Sequence, residues 1–209
     1  MPRSRSSKRW LKEHFDDPYV KKAQDAGYRS RAVYKLIELQ KRDHLFKPGM
    51  LIVDLGAAPG GWSEIVAKLV GPKGEIIAVD ILPMEPLHGV HVITGDFSAD
   101  ETLQTLLDYL NQKPVDLVMS DMAPNISGIA TVDQSRSMYL AEQALCFAQR
   151  VLKPNGCFLV KVFQGEGFDH FYQVLRDTFS AVKVRKPRAS RSRSTEVYLL
   201  ALGLQKQIG

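Results

Sequence analysis

The chain has 209 residues, 44% of them hydrophobic and 24% charged, with a formal net charge of +5. That length suits one domain with a substantial core, and the composition excludes a disordered, collagen-like or disulfide-stapled chain. No segment is apolar for long enough to span a bilayer as a helix.

The first 49 residues read as a basic helical prefix, with Ser30 as the expected cap of a helix carrying Val33, Leu36, Ile37 and Leu39. Pro48-Gly49 then breaks the chain ahead of a short apolar strand at 51–55. Strand and helix patterns alternate from there. A helix is expected over 62–70, stopped by Gly71-Pro72, then strands at 75–80 and 90–94, a helix at 101–110 and a buried strand at 115–120. Met138, Ala141, Leu145, Ala148 and Leu152 recur at steps of three and four, which predicts a long helix over 133–152. Thr131-x-x-Gln134 offers a capping box at its start, and Pro154-Asn155-Gly156 a stop. A strand at 156–162, a helix at 168–179 and strands at 181–184 and 196–202 complete the series. This alternation predicts one doubly wound α/β domain over 1–209, with the prefix at 1–49 and a Rossmann-like core at 50–205.

The first strand ends in Gly56-Ala-Ala-Pro-Gly-Gly61, a turn without bulky Cβ atoms, where backbone N–H groups can approach a nucleotide-like ligand. Its spacing is not the G-x-G-x-x-G of dinucleotide enzymes, and no Lys-Ser/Thr follows as in a Walker loop. Four acids fall at or just after strand ends: Asp54, Asp80, Asp96 and Asp121. In a parallel sheet those ends converge on the ligand edge. Asp80, 24 residues beyond Gly56, is placed to accept both hydroxyls of a ribose. Asp96 is placed to accept from an adenine amino group, with Phe97 as an apolar contact. A glycine turn and acids for ribose and adenine, without a pyrophosphate fingerprint, fit S-adenosylmethionine better than a nicotinamide dinucleotide. Methyl transfer is therefore favoured over hydride transfer.

Asp54-Leu-Gly-Ala-Ala-Pro-Gly-Gly-Trp62, Ser120-Asp-Met-Ala-Pro-Asn125 and Leu159-Val-Lys-Val-Phe-Gln-Gly165 resemble the hallmark segments of the FtsJ/RrmJ family of large-subunit ribosomal RNA 2′-O-ribose methyltransferases. Arg29-Ser-Arg-Ala-Val-Tyr-Lys35 and Arg193-Ser-Thr-Glu-Val-Tyr198 extend the resemblance to nearly the whole chain. It implies a class I methyltransferase fold whose seven-stranded, mostly parallel sheet has its last strand antiparallel. It also implies a catalytic set matching Lys35, Asp121, Lys161 and Glu196. Contacts to S-adenosylmethionine would come from Gly60, Trp62, Asp80, Asp96 and Asp121, beside Gly56 and Asp54 of the glycine turn. The absence of a long C-terminal extension points to a bacterial-type member. The implied substrate is a uridine of large-subunit (23S) ribosomal RNA, on the assembled ribosomal particle, methylated by a cytoplasmic monomer.

The residues support that chemistry independently. A ribose hydroxyl is a poor nucleophile, and Lys161 lies inside the apolar run Cys157-Phe-Leu-Val-Lys-Val-Phe163, where a lysine is costly unless partnered. A neutral Lys161 would act as general base, whereas a charged one would orient the hydroxyl and stabilise developing negative charge. Both roles stay open at this level. The segment after the fourth strand, Asp121-Met-Ala-Pro-Asn125, lacks the aromatic on which adenine amino methyltransferases stack a flipped base, which leaves ribose as the better acceptor.

Charge is unevenly spread. Residues 1–49 carry 13 Lys/Arg against 6 Asp/Glu, residues 50–182 carry 8 against 16, and residues 183–195 carry 6 basic groups and no acid. Such basic ends suit an RNA partner. Arg3, Arg5, Lys8, Arg9, Arg29 and Arg31 at one end, and Lys186, Arg188, Arg191 and Arg193 at the other, are candidates for phosphate contacts, with Trp10, Tyr28 and Tyr34 as stacking or core residues. His88-x-x-His91 is too sparse for a metal site, and no metal is expected. Cys146 and Cys157 read as small buried hydrophobes. The start of the chain lacks the apolar stretch of a secretory signal, so cytoplasm and no membrane partner are expected. The rival classes are a nicotinamide oxidoreductase and an RNA-binding ribosome-assembly factor built on a methyltransferase fold.

Overall fold

A computed structural model describes residues 17–205. Its strands are β1 (Leu51–Leu55), β2 (Glu75–Asp80), β3 (Val90–Thr94), β4 (Val115–Ser120), β5 (Leu152–Phe163), β6 (Phe179–Arg185) and β7 (Glu196–Leu204), in one sheet of order β3-β2-β1-β4-β5-β7-β6. The pairs from β3 to β5 are parallel, and β7 runs antiparallel between β5 and β6. The helices are α1 (Pro18–Asp25), α2 (Val33–Asp43), α3 (Gly61–Val70), α4 (Asp100–Leu110), α5 (Ala130–Val151) and α6 (Phe168–Thr178). This is the seven-stranded, doubly wound α/β architecture expected of the sequence, with the last strand antiparallel.

The near-continuous apolar runs of β1, β2 and β4 follow from burial on both faces of the sheet. Alternate residues of each strand enter different cores. Val53, Leu55, Val118, Phe158 and Val160 pack with Leu106 of α4, Leu145 of α5 and Phe171 of α6. On the opposite face Ile52, Ile76, Leu117, Leu159 and Tyr198 pack with Leu36 of α2 and Trp62 of α3. Leu36 is fully buried, so its truncation to alanine would cost roughly 2–5 kcal/mol.

The differences from the expected elements lie at their ends. Ser30 does not cap α2, which begins after Ala32 without a side-chain cap. No capping box forms on α5 either. The helix begins at Ala130, and Asp133 turns back to accept hydrogen bonds from Ser127 and Gly128, while Gln134 reaches across to another loop. Pro154-Asn155-Gly156 follows the helix as expected, but β5 runs through it. The strand accommodates the turn residues by a register shift opposite Val115/Leu117, with Asn155 at φ 63°. Cys146 lies on the exposed side of α5 and Cys157 is half-buried, so the reading of both as buried does not hold. Among the described residues no helix is long and apolar enough to cross a membrane.

Candidate active site

The carboxyl ends of β1, β2 and β4 bring the glycine turn and three of the four acids to one edge of the sheet. Several of the turn N–H groups are engaged within the protein. Gly56 and Ala57 donate to the Val79 carbonyl at 2.9 and 3.2 Å, and Ala58 donates to Asp80 Oδ2 at 2.8 Å. What the glycines provide is backbone shape and room. Gly56 and Gly60 have φ of 76° and 98°, and a Cβ at Gly56 would stand 2.7 Å from Met122 Cγ. Asp54 is buried beneath the turn. Its Oδ2 accepts from Ser63 Oγ at 2.6 Å, and its Oδ1 has no hydrogen-bond partner. Burial, with Asp121 and Asp80 nearby, pushes the Asp54 carboxyl up to about 7 against the lowering effect of Ser63.

A cavity of about 400 Å³ opens beside the turn, within the range of small-molecule sites. Asp80, Asp96 and Asp121 give it three carboxylates, and Phe97, Leu140 and Ile81 give it apolar wall. Asp80 accepts Ala58 N–H on one oxygen and Leu82 N–H on the other, which leaves acceptor capacity on both. Asp96 is exposed, and its hydrogen bonds from Ser98 hold it below the usual carboxylate range. Phe97 lines the cavity while packing edge-on against Phe147.

A charged cluster borders this cavity through Asp121. Lys161 Nζ lies 3.0 Å from Asp121 Oδ1 and also donates to the Asp121 backbone carbonyl. Lys35 Nζ lies 2.6 Å from Glu196 Oε1, to which Ser190 Oγ also donates at 2.9 Å. Tyr198 joins the two pairs: its hydroxyl donates to Asp121 Oδ1 at 2.7 Å, and Lys35 Nζ sits 5.6 Å from its ring centre. Lys35, Lys161 and Glu196 are each 8% exposed and Asp121 is half-buried, and mutual pairing sustains the burial of these charges. Burial would raise Asp121, but Lys161, Lys35 and the Tyr198 hydroxyl outweigh it and hold the carboxyl below its ordinary value. Burial, then Asp121 and Glu196, push the Tyr198 hydroxyl well up, so it remains a donor.

The residues from Tyr28 to the end of β7 have the pattern of a known family: residues 28–204 match that of the FtsJ-like methyltransferases. The chain belongs to the FtsJ-like methyltransferase family. Among its relatives, the ribosomal RNA large subunit methyltransferase E of Hahella chejuensis is 57% identical over 98% of this chain and 100% of its own length. The protein of that name from Alkalilimnicola ehrlichii is 61% identical over 94% of each chain. A solved ribosomal RNA methyltransferase structure from Plasmodium falciparum superposes with a TM-score of 0.77 at 28% identity, covering 85% of this chain and 98% of that one.

The family residues do not all converge. Asp54, Gly56, Asp80, Asp96 and Asp121 gather at or under the cavity, whereas the Trp62 ring is buried in the core. Its indole N–H donates to the Ala32 carbonyl at 2.8 Å and its ring lies 5.7 Å from that of Tyr198. Trp62 therefore secures the start of α2, the helix that carries Lys35. Gly60 lets the chain enter α3 in a left-handed conformation, close to Leu87 and Arg29.

Several basic residues expected to meet phosphate are engaged in the protein instead. Arg29 donates to the carbonyls of Pro59, Glu85 and Pro86, and Arg31 binds Asp17 and the Ala189 carbonyl. Lys186 donates to the carbonyls of Ser194 and Glu196. Arg191 lies 3.8 Å from Asp17. Arg188, by contrast, is anchored through its backbone N–H on Glu38 while its side chain is exposed. Tyr34 and Tyr28 form an edge-to-face pair with the Tyr34 ring buried, so Tyr34 is a packing residue. His91 stacks on Tyr109 at 3.7 Å. Arg3, Arg5, Lys8, Arg9 and Trp10 lie outside the described residues. Tyr198 and Ser190 were not foreseen as site residues. Tyr198 had a legible signal, because it stands two positions after Glu196 in a strand and so shares its face.

Proposed function

We propose that this chain transfers a methyl group from S-adenosylmethionine to the ribose 2′-hydroxyl of a uridine in large-subunit (23S) ribosomal RNA, on the ribosomal particle. The observation that carries this reading is the pairing of Lys161 with Asp121 and of Lys35 with Glu196 around Tyr198, at the border of the cavity. Support for the donor comes from the fit of that cavity to an adenosine. Asp80 has acceptor capacity for ribose hydroxyls, Asp96 for an amino group, Phe97 and Leu140 offer apolar wall, and the absence of a Cβ at Gly56 keeps the space beside Met122 open. When bound, S-adenosylmethionine supplies an electrophilic methyl group carried on a positively charged sulfur.

The chain's own contribution is to hold the acceptor oxygen and manage its proton. With the carboxylate and the carbonyl of Asp121 as partners, the Lys161 nitrogen has one tetrahedral position left, and from it Lys161 meets the acceptor hydroxyl. Paired with the Asp121 carboxylate, Lys161 orients the hydroxyl and stabilises negative charge as its proton leaves to solvent. Lys35 and Glu196 keep this buried cluster neutral overall, and Tyr198 fixes the Asp121 carboxylate that aims Lys161.

The four charged residues come from one chain, which supports action as a monomer, with residues 1–209 working as a single unit. A ribosomal substrate supports a cytoplasmic location. The test is to map 2′-O-methylation on large subunits from cells with and without this protein. One uridine is expected to lose its methyl group when the protein is absent and regain it on incubation with protein and donor. An unchanged methylation map would refute the reading.

A further inference from the structure

A second cavity of about 440 Å³ lies where the loop after β4, the start of α5 and the turn after β5 meet the start of β7. It adjoins the charged cluster. Phe163, two residues beyond Lys161, lines it and pairs in register with Glu196 across β5 and β7. Thr195, also in its lining, precedes Glu196, and its carbonyl accepts the Gln164 N–H at 3.0 Å. The loop from Asp121 to Ile126 connects the two cavities: Asp121 to Asn125 line the first and Ile126 lines the second.

The chemistry of the second cavity is specific. Its lining contains no lysine or arginine, and it carries the carboxylates of Glu166 and Asp133. A phosphate would be repelled there. Gln134 is oriented by two hydrogen bonds from its Nε2, to the carbonyls of Phe163 and Glu166 at 3.1 and 2.8 Å, and so keeps an acceptor oxygen in the lining. Gly165 packs against that amide, where an added Cβ would lie 3.0 Å from Gln134 Cδ. Ile126, 68% exposed, and the half-buried Phe163 supply apolar surface. A phosphate-excluding hollow with acceptors on one side and an aromatic and an aliphatic wall suits a neutral planar ring with an N–H on its edge.

Resting on the proposed function, we propose that this cavity receives the nucleobase of the nucleotide being methylated, turned out of its stack. The base is bonded to the ribose whose hydroxyl must reach Lys161, so it lands beside the cluster, and this is the adjoining hollow that takes a base but not a phosphate. The single N3–H of the uracil edge donates to the Glu166 carboxylate, while Ile126 and Phe163 cover a ring face. The cavity thereby sets which nucleotide presents its 2′-hydroxyl.

The test uses full-length protein, large subunits from cells lacking it, and labelled S-adenosylmethionine. Ile126→Ala and Glu166→Ala replace exposed side chains and leave the fold intact. Each is expected to raise KM for the particles about tenfold, the loss of one well-made contact, without changing donor affinity by calorimetry. Particles grown with 4-thiouridine and irradiated on the protein are expected to crosslink through the target base to residues 126–134 or 163–166. Kinetics within twofold of the parent for both variants, or crosslinks from the target base confined to the basic loop 186–195, would overturn the assignment. A parent protein that methylates no particle would instead overturn the function on which the assignment rests, and the assignment with it.

Discussion

Asp54→Asn isolates the energetic consequence of the carboxyl buried under the glycine turn. The side chain is 1% exposed and its carboxyl is pushed up to about 7, against 3.8 for the free group, because burial disfavours the charged form. Between pH 3.8 and about 7 the folded protein therefore holds a proton that the unfolded chain has released. Stability from this group is present below pH 3.8, falls as pH rises through the window, and is lost above 7. A displacement of roughly three pH units corresponds to about 4 kcal/mol as an upper bound. Asparagine keeps an acceptor for Ser63 Oγ but cannot ionise, so the variant lacks this slope. Its amide hydrogens meet the unpartnered position of Oδ1, at a constant cost of about 1–3 kcal/mol. The informative quantity is therefore the difference in stability between variant and parent from urea unfolding at pH 4 to 8. That difference is expected to shift in favour of the variant as pH rises to 7, then level off. A difference independent of pH would show that Asp54 ionises normally in the fold and would refute the reasoning.

Lys161→Ala is expected to bind S-adenosylmethionine almost normally by calorimetry and to lose methyl transfer by several orders of magnitude; near-parental turnover would remove Lys161 from the chemistry. Asp80→Ala is expected to weaken donor binding at least tenfold, and unchanged affinity would refute the ribose contact. Tyr198→Phe deletes the donor to Asp121 and is expected to cost about 1.5–3 kcal/mol of stability and to lower kcat more than donor affinity. Parental kcat and melting temperature in that variant would mean that Tyr198 does not hold the Asp121 carboxylate.

The middle of the sheet was legible because β1, β2 and β4 are buried on both faces and read as near-continuous apolar runs, and α5 because five core residues repeat at helical spacing. Asp54, Asp80, Asp96 and Asp121 were legible as strand-end acids, and Lys161 because a lysine in an apolar strand demands a partner. The nearness of Lys35 to Glu196 was not visible in spacing, since the pair closes across most of the chain; only the family resemblance suggested it. The destination of the basic residues was also hidden. Arg29 and Arg31 look like phosphate contacts in a charge count, yet unpaired carbonyls at Pro59, Glu85, Pro86 and Ala189 take up their donors. Nor does the spacing show where the Trp62 ring goes: its indole N–H finds the Ala32 carbonyl and helps to hold the helix of Lys35 in place.

The central claim is methylation of a ribose oxygen by the cluster of Lys161 and Asp121. Its most direct measurement is a single-turnover incubation of the protein with methyl-labelled S-adenosylmethionine and large subunits lacking the modification, followed by alkaline hydrolysis of the RNA. The label is expected in one alkali-resistant dinucleotide, because a 2′-O-methyl group blocks cleavage at its own nucleotide, and to be absent with Lys161→Ala. Label released in ordinary mononucleotides, or retained with Lys161→Ala, would contradict the account.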